Sequence, residues 1–372
     1  MAVLWMIALP AFVVADDALP GKDKPDSALV SDGTIEAMLV PIREKHRVPG
    51  LIAGTVNRQG LVAAGVVGAR KYGSPEPMTI NDHVHLGSNT KAMTATRLAM
   101  LVEEGKLSWQ STLGEVFSDL KAEFHDDFVN VTLEQLLTHR AGLPANVMYP
   151  RTGGSIVAMR ESVVKRVLSN PPLHPPGTKF LYSNLGYIIA GHTAERVTDK
   201  SWEQLMTDGL FTPLEMTSAG FGFPGTKGLV DQPWGHKVLI YNPIPLQLDN
   251  AEALGPAGTV HCSLADWAQF AALHLQGARG EGTLLKPTTF HALHTPPVGE
   301  KYAMGWAVKE YPWADGPVLE HSGSNTMWFA TIVVSPKRDL AFLAATNVGP
   351  PSGHQACDAA IAALIEHESK SP

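Results

Sequence analysis

The segment HVHLGSNTKAMTATRLAMLVEE, residues 83–104, decides how the chain is interpreted. Residues 83–86 are strand-like and end at Gly87, and from Ser88 onward apolar positions recur at helical spacing until Gly105. This pattern predicts a strand that leads directly into a helix. Ser88 then stands at the point where the helix begins.

Ser88 and Lys91 lie one helical turn apart in Ser88-Asn89-Thr90-Lys91. At a helix start the backbone N–H groups lack partners and the macrodipole is positive, which favours a developing oxyanion. Side chains three residues apart share a helix face, so we expect the Lys91 amine beside the Ser88 hydroxyl. A partly desolvated lysine can lose its proton and act as a base. The pattern predicts Ser88 as a nucleophile that Lys91 assists.

The S-x-x-K spacing alone is a weak signal, because it occurs twice more, at Ser118 to Lys121 and at Ser162 to Lys165. Both strings lie inside helical or amphipathic segments and lack the strand-to-helix junction. We interpret them as solvated helix faces.

A second motif is Tyr182-Ser183-Asn184, at the predicted start of another helix. A tyrosine at this place can point its phenol into a cleft, where it could be held as phenolate or relay a proton. The Asn184 amide can hold a substrate carbonyl and orient Lys91. Taken alone, such a segment is more often a capped helix start with a packed tyrosine.

A third motif, His321-Ser322-Gly323, ends a predicted strand and is followed by Ser324. A strand edge with glycine lets a substrate backbone approach closely. The Ser324 N–H could supply a second oxyanion donor beside that of Ser88. A lone histidine at a strand end is more often a surface or capping residue.

Strand and helix patterns predict an α/β (α+β) architecture. Strand-like runs occur near both chain ends, at 51–57, 60–68 and four times within 303–347, while helices and loops dominate between them. We expect an antiparallel sheet of about five strands, flanked by helices at 33–46 and 354–367, with a mainly helical domain inserted. The predicted boundaries are 33–100 with 290–372 for the sheet domain and 101–289 for the helical domain, together one catalytic unit.

Composition narrows the function classes. Charged residues make up 17% of the chain, the net charge is −7 and basic residues are scattered, which argues against disorder and against a nucleic-acid surface. Residues 1–15 are apolar and end in Val13-Val14-Ala15, which predicts a signal peptide, a polar tail over 16–32 and an exported, periplasmic or secreted protein. No other stretch is long and apolar enough for a membrane span. Cys262 and Cys357 could pair, but we favour two free buried thiols.

The three motifs, in this order, resemble those of the serine β-lactamase and penicillin-binding-protein superfamily. The Y-S-N form is similar to that of the class C β-lactamase and carboxypeptidase/esterase branch. The resemblance extends over about 30–367 and includes LLTHRAGLP at 136–144, PLEMT at 213–217, GPAG at 255–258 and Thr346-Asn347.

The resemblance implies that Ser88 carries an acyl group that water then removes, without metal or cofactor. Lys91 and Tyr182 share the general-base role, and which of them takes the proton stays open. By the same resemblance Asn184 positions the substrate and Asn146 lines the cleft. The partner is then a small-molecule or peptide substrate; the oligomeric state stays open.

One position departs from the class C pattern. Those enzymes usually carry Lys-Thr-Gly where this chain has His321-Ser322-Gly323, and that lysine attracts the carboxylate of a β-lactam. A histidine, with an ordinary pKa near ~6.5, is mostly neutral at pH 7. We therefore expect small carboxylic esters or D-amino-acid peptides as substrates. A β-lactamase and a non-catalytic penicillin-type binder are the alternatives.

Two other patterns receive a plain interpretation. His83-Val84-His85 has the H-x-H form of some metal sites but no carboxylate partner at useful spacing, so no metal site is predicted. Arg151-Thr152-Gly153 looks like a lysine-threonine-glycine substitute, yet it precedes Tyr182, out of the family's order, and is interpreted as a loop.

Overall fold

The computed structural model describes residues 32–148, 154–239 and 242–370. The predicted signal peptide, nearly all of the predicted tail and Arg151-Thr152-Gly153 lie outside these ranges. Within them, none of the helices has the length and apolar character that crossing a membrane requires.

The main sheet has six antiparallel strands in the order β2-β1-β11-β10-β9-β8, where about five were expected. Its N-terminal and C-terminal parts meet where β1 pairs with β11, with Leu51 opposite Thr346. The α/β fold built from both chain ends is therefore confirmed. The strands of this sheet are β1 (Gly50–Asn57), β2 (Gly60–Gly68), β8 (Ala307–Glu310), β9 (Pro317–Gly323), β10 (Phe329–Ser335) and β11 (Leu340–Thr346).

Helices cover both faces of this sheet and fill the segment between its two parts. Short helices in that segment begin with reciprocal caps, such as Thr112 with Glu115 and Thr132 with Gln135. The helices are α1 (Gly33–His46), α2 (Thr90–Glu103), α3 (Leu113–Val116), α4 (Asp126–Val129), α5 (Leu133–Leu137), α6 (Ile156–Leu168), α7 (Asn184–Thr198), α8 (Trp202–Met206), α9 (Gly255–Gly258), α10 (Leu264–Ala278), α11 (Pro287–His294) and α12 (Ser352–Lys370).

Each face of the sheet buries its own apolar core. On one face α1 and α12 pack over the strands, and Leu39, Phe342 and Leu364 are buried there. On the other face α10 packs against β1 and β2 and joins a larger core that continues through α2 and α7. Since α10 belongs to the predicted helical domain yet covers the sheet, the two parts share one core; the domain boundaries stay a prediction.

Two small sheets lie mostly in the region that we predicted as helices and loops, and of their strands only His83–His85 was predicted. One consists of β3 (His83–His85), β7 (Val260–Ser263) and β4 (Gly220–Phe221), and the other is the hairpin of β5 (Gly235–Leu239) and β6 (Asn242–Leu246). The first matters for the site, because β3 leads directly into the segment that precedes α2. Cys262 on β7 and Cys357 on α12 are both buried and free, as predicted.

Candidate active site

Ser88 lies in a tight turn, Gly87–Asn89, between β3 and α2. Gly87 has a φ of 50°, a left-handed conformation that side chains disfavour. The Asn89 side chain fixes the turn by donating to the carbonyls of Leu86 (2.7 Å) and Ala330 (3.1 Å). The neighbours of Ser88 in the turn are buried while Ser88 itself is partly accessible. The turn thus presents one hydroxyl from an otherwise immobilised segment.

Lys91 is completely buried, and its Nζ has three close partners. They are Ser88 Oγ at 3.0 Å, Asn184 Oδ1 at 2.7 Å and the Ala257 carbonyl at 2.7 Å. The two carbonyl-type oxygens can only accept, so two N–H bonds of Lys91 are committed to them. Burial holds the pKa of Lys91 well below its usual value, which favours the neutral amine. Its lone pair then faces the Ser88 hydroxyl proton, the arrangement that a base requires.

The Tyr182 phenol lies within interaction distance of the Ser88 side chain. Burial raises the pKa of Tyr182 to about 12, so the phenol keeps its proton at neutral pH. Lys91 Nζ stands 5.0 Å from the centre of the ring. The structure therefore favours a proton-donating phenol over the phenolate that the sequence left open.

Asn184, the first residue of α7, links Lys91 to the open side of the cleft. Its Oδ1 accepts from Lys91, and its Nδ2 donates to Asn146 Oδ1 at 2.9 Å. Asn146 is exposed on the loop after α5. Both asparagines thus belong to one hydrogen-bonded group that reaches from the buried amine to solvent.

The third motif brings β9 into contact with the Ser88 turn. A Cβ atom added at Gly323 would lie 2.1 Å from the Leu86 carbonyl oxygen and 2.5 Å from the Ser88 backbone nitrogen. One added at Gly87 would lie 2.3 Å from the Ser324 nitrogen. The Ser324 hydroxyl already donates to the Trp328 carbonyl at 2.5 Å. Only glycines permit this approach, and the backbone N–H groups of Ser88 and Ser324 become neighbours.

His321 is buried beneath the cleft, and both ring nitrogens are occupied. Nδ1 lies 2.9 Å from the Ser322 carbonyl, which can only accept, so the proton is assigned to Nδ1. Nε2 then accepts from the Tyr302 hydroxyl at 2.9 Å. Burial is the main cause that lowers the pKa of His321 to about 3. The ring is a neutral support, and its contact with substrate stays a prediction.

Sequence analysis missed His139 as a part of this site. Its ring lies 4.3 Å from that of Tyr182 and 4.7 Å from that of Tyr302, centre to centre, and its Nδ1 accepts from the Ser183 N–H at 3.1 Å. Burial lowers the pKa of His139 well below its usual value. A neutral imidazole therefore supports the tyrosine. The signal was LLTHRAGLP, which we used only as a mark of resemblance.

The other candidate patterns lie apart from this group. Lys165 of the third S-x-x-K string is on α6 and pairs with Glu161 at 2.7 Å, and Ser118 is exposed. His83 of the H-x-H pair stacks on His261. Among the described residues, no three side chains of the metal-ligating types are placed to hold an ion.

Comparison with known proteins identifies a family and a shared fold. A family model described as Beta-lactamase matches residues 35–366. The "Unguisins hydrolase ungD'" of Aspergillus campestris (strain IBT 28561) is 26% identical over 287 residues, which are 71% of this chain and 52% of that protein. The chain spans about half the length of the curated relatives it matches.

Two solved structures share the fold. The octameric penicillin-binding protein homologue from Pyrococcus abyssi superposes with a TM-score of 0.75 at 22% identity, over 91% of this chain and 78% of that one. The class C beta lactamase from Rhodobacter sphaeroides gives a TM-score of 0.72 at 21% identity, over 91% of this chain and all of the other. With a family model matching most of its length and this fold, the chain belongs to the beta-lactamase family of serine hydrolases.

Proposed function

We propose that the protein hydrolyses small carboxylic esters through an acyl-enzyme on Ser88, with Lys91 as the general base. The observation that carries the proposal is the buried Lys91 Nζ, 3.0 Å from Ser88 Oγ and held by two oxygens that can only accept. An amine in this setting is ready to take a proton at neutral pH.

The reaction uses the groups around Ser88, namely the Lys91 amine, the Tyr182 phenol and two backbone N–H groups. Ser88 Oγ attacks the ester carbonyl while its proton passes to Lys91. The backbone N–H groups of Ser88 and Ser324 stabilise the oxyanion that forms. The Tyr182 phenol donates its proton to the departing alkoxide and regains one from Lys91. A water molecule then attacks the acyl group and gives a proton to Lys91, which passes it to the departing Ser88 Oγ, so that a carboxylic acid is released and both Ser88 and the free amine are restored.

The substrate class follows from charge. The place where a cation would meet a substrate carboxylate holds His321, a neutral ring with both nitrogens in hydrogen bonds. A β-lactam, or a peptide with a free D-alanine carboxylate, gains no ion pair from this residue. Uncharged esters require none, so we place them first, D-amino-acid peptides second and β-lactams third. The fungal relative is named a hydrolase, which supports hydrolysis in general.

The test is a substrate panel of p-nitrophenyl butyrate, a D-alanyl-D-alanine peptide and nitrocefin, applied to the wild type and Ser88→Ala. We expect ester turnover that Ser88→Ala abolishes, and the two carboxylate substrates at least about tenfold less efficient in kcat/KM. Ser118→Ala, from an exposed S-x-x-K serine, is the matched control and keeps full activity. Undiminished turnover by Ser88→Ala would refute the proposal, and a long-lived Ser88 adduct without turnover would indicate a binder.

A further inference from the structure

A buried histidine that the proposed chemistry does not use lies directly behind Ser88. His85, the last residue of β3, is completely buried, and its Nδ1 accepts from the Gly87 N–H at 3.1 Å. Nδ1 therefore carries no proton, and the proton of the neutral ring is on Nε2. His85 thus fixes the residue that immediately precedes the nucleophile.

The other ring nitrogen of His85 meets a carboxylate. Nε2 lies 2.9 Å from Asp249 Oδ1, a close contact that falls short of a linear hydrogen bond. The same oxygen accepts from Asn325 Nδ2 at 3.0 Å. Asn325 Oδ1 in turn accepts from the N–H groups of Met327 and Trp328, each at 3.1 Å. One oxygen atom of Asp249 therefore contacts both sides of the cleft floor.

These two sides carry the two oxyanion donors. Gly87 precedes Ser88, Asn325 follows Ser324, and the Gly87 and Ser324 backbones already touch. We propose that Asp249, acting through His85 and Asn325, is a positioning residue that fixes the distance between the Ser88 and Ser324 N–H groups. This inference rests on the proposed acyl-enzyme function. It assigns a role to a loop residue that the chemistry itself never touches.

The loop that carries Asp249 is linked to the cleft floor at more than one point. Asp249 lies in the loop between β6 and α9, which also reaches Gly258 through the Asn250 side chain at 2.8 Å. This loop is thereby connected to the backbone segments that carry the oxyanion donors. Loss of one such donor costs about 10²–10³ in kcat in other hydrolases, and displacement by about 1 Å can cost ~10². Loosening both donors at once should lower kcat.

The experiment compares Asp249→Ala with Asp249→Asn in the full chain. Asparagine keeps an acceptor at Oδ1, where both contacts meet, whereas alanine leaves His85 and Asn325 without one. With p-nitrophenyl butyrate we expect Asp249→Ala to lower kcat by about 10–100-fold with KM within about threefold, and Asp249→Asn to stay within about fivefold of the wild type. Phenylboronic acid, whose Ser88 adduct carries a tetrahedral oxyanion, should lose affinity for Asp249→Ala by a factor similar to the loss in kcat.

The control is Asp231→Asn, since Asp231 caps its own loop at the Thr226 N–H. A kcat of Asp249→Ala within twofold of the wild type, or a rise in KM alone, would overturn the inference. If Asp249→Ala does not fold, Asn325→Ala takes its place, with the same loss expected and the same result overturning it. Failure of the proposed function looks different: the wild type itself then shows neither turnover nor a Ser88 adduct, and the inference falls with it.

Discussion

Two helices of this protein carry a lysine three residues after a serine, and the two lysines have opposite surroundings. Lys91 is fully buried, with its Nζ on two carbonyl-type oxygens and Ser88. The Lys165 side chain on α6 is 39% exposed and pairs with Glu161. Burial lowers the pKa of Lys91, whereas the Glu161 carboxylate raises that of Lys165. The same spacing thus yields a base in one place and a permanent cation in the other.

The largest difference in activity should separate the variants that remove the two amines, Lys91→Ala and Lys165→Ala. We expect Lys91→Ala to lower kcat for p-nitrophenyl butyrate by about 10³-fold or more, because Ser88 loses the acceptor of its proton. Lys165→Ala should leave kcat within twofold. Steady-state kinetics, with thermal unfolding to verify the fold, measure both. An active Lys91→Ala enzyme, within tenfold of the wild type, would mean that another group takes the proton.

A smaller effect is expected at Tyr182, the tyrosine beside Ser88. Tyr182→Phe should lower kcat by about 10²-fold for an ethyl ester, because the poor leaving group needs a proton. For a p-nitrophenyl ester, whose leaving group needs little help, the loss should be several-fold smaller.

The matched control is Tyr72→Phe, at an exposed tyrosine. Equal losses of Tyr182→Phe on both esters would contradict an acid role. They would instead support Tyr182 as the residue that activates Ser88.

The pH dependence of kcat/KM distinguishes the two lysines by their pKa values. The base must be the free amine, so kcat/KM should rise with pH, about tenfold per unit, through the lowered pKa of Lys91 and then level off well below pH 10.5. Tyr182, with its pKa raised to about 12, should limit activity only at the alkaline extreme. Lys165→Ala should leave the profile unchanged. A profile that levels off only near pH 10.5 would show an ordinary lysine.

The part of the fold and of the site that could be predicted from the sequence is the part built from interactions between residues close together in the chain. Ser88 and Lys91 are three residues apart at a strand-to-helix junction, so their contact follows from helix geometry. His139 and Asp249 gave no such signal, since their partners are brought to them by packing over long sequence separations, and the same holds for the contact of His85 with Asp249. The β5–β6 hairpin was missed because Pro243 and Pro245 interrupt β6 and its apolar pattern is weak.

The smallest effect that we predict concerns His321, the neutral histidine in place of a class C lysine. Its pKa is lowered to about 3 by burial, from an ordinary value near ~6.5. Between about pH 3 and pH 6.5, His321 therefore binds a proton in the unfolded chain but not in the folded protein. The free energy of unfolding is therefore unaffected by the protonation of this residue above about pH 6.5, and it decreases as the pH falls from there toward 3.

His321→Gln tests whether this buried histidine stays uncharged in the folded protein, as the comparison of buried Lys91 with exposed Lys165 leads us to expect. The change removes the hydrogen bond with Tyr302, so at pH 7 we expect a loss of about 1 kcal/mol in the free energy of unfolding. Glutamine takes up no proton, so the difference should shrink as the pH falls and reverse in moderate acid. Urea unfolding at several pH values measures it, with His291→Gln at an exposed histidine as the control. A constant difference at every pH would mean that folding leaves the pKa of His321 at its ordinary value, so that the ring becomes charged in mild acid in the folded protein too. The cleft would then gain a buried cation in mild acid, and there the case for uncharged substrates would lose its physical basis.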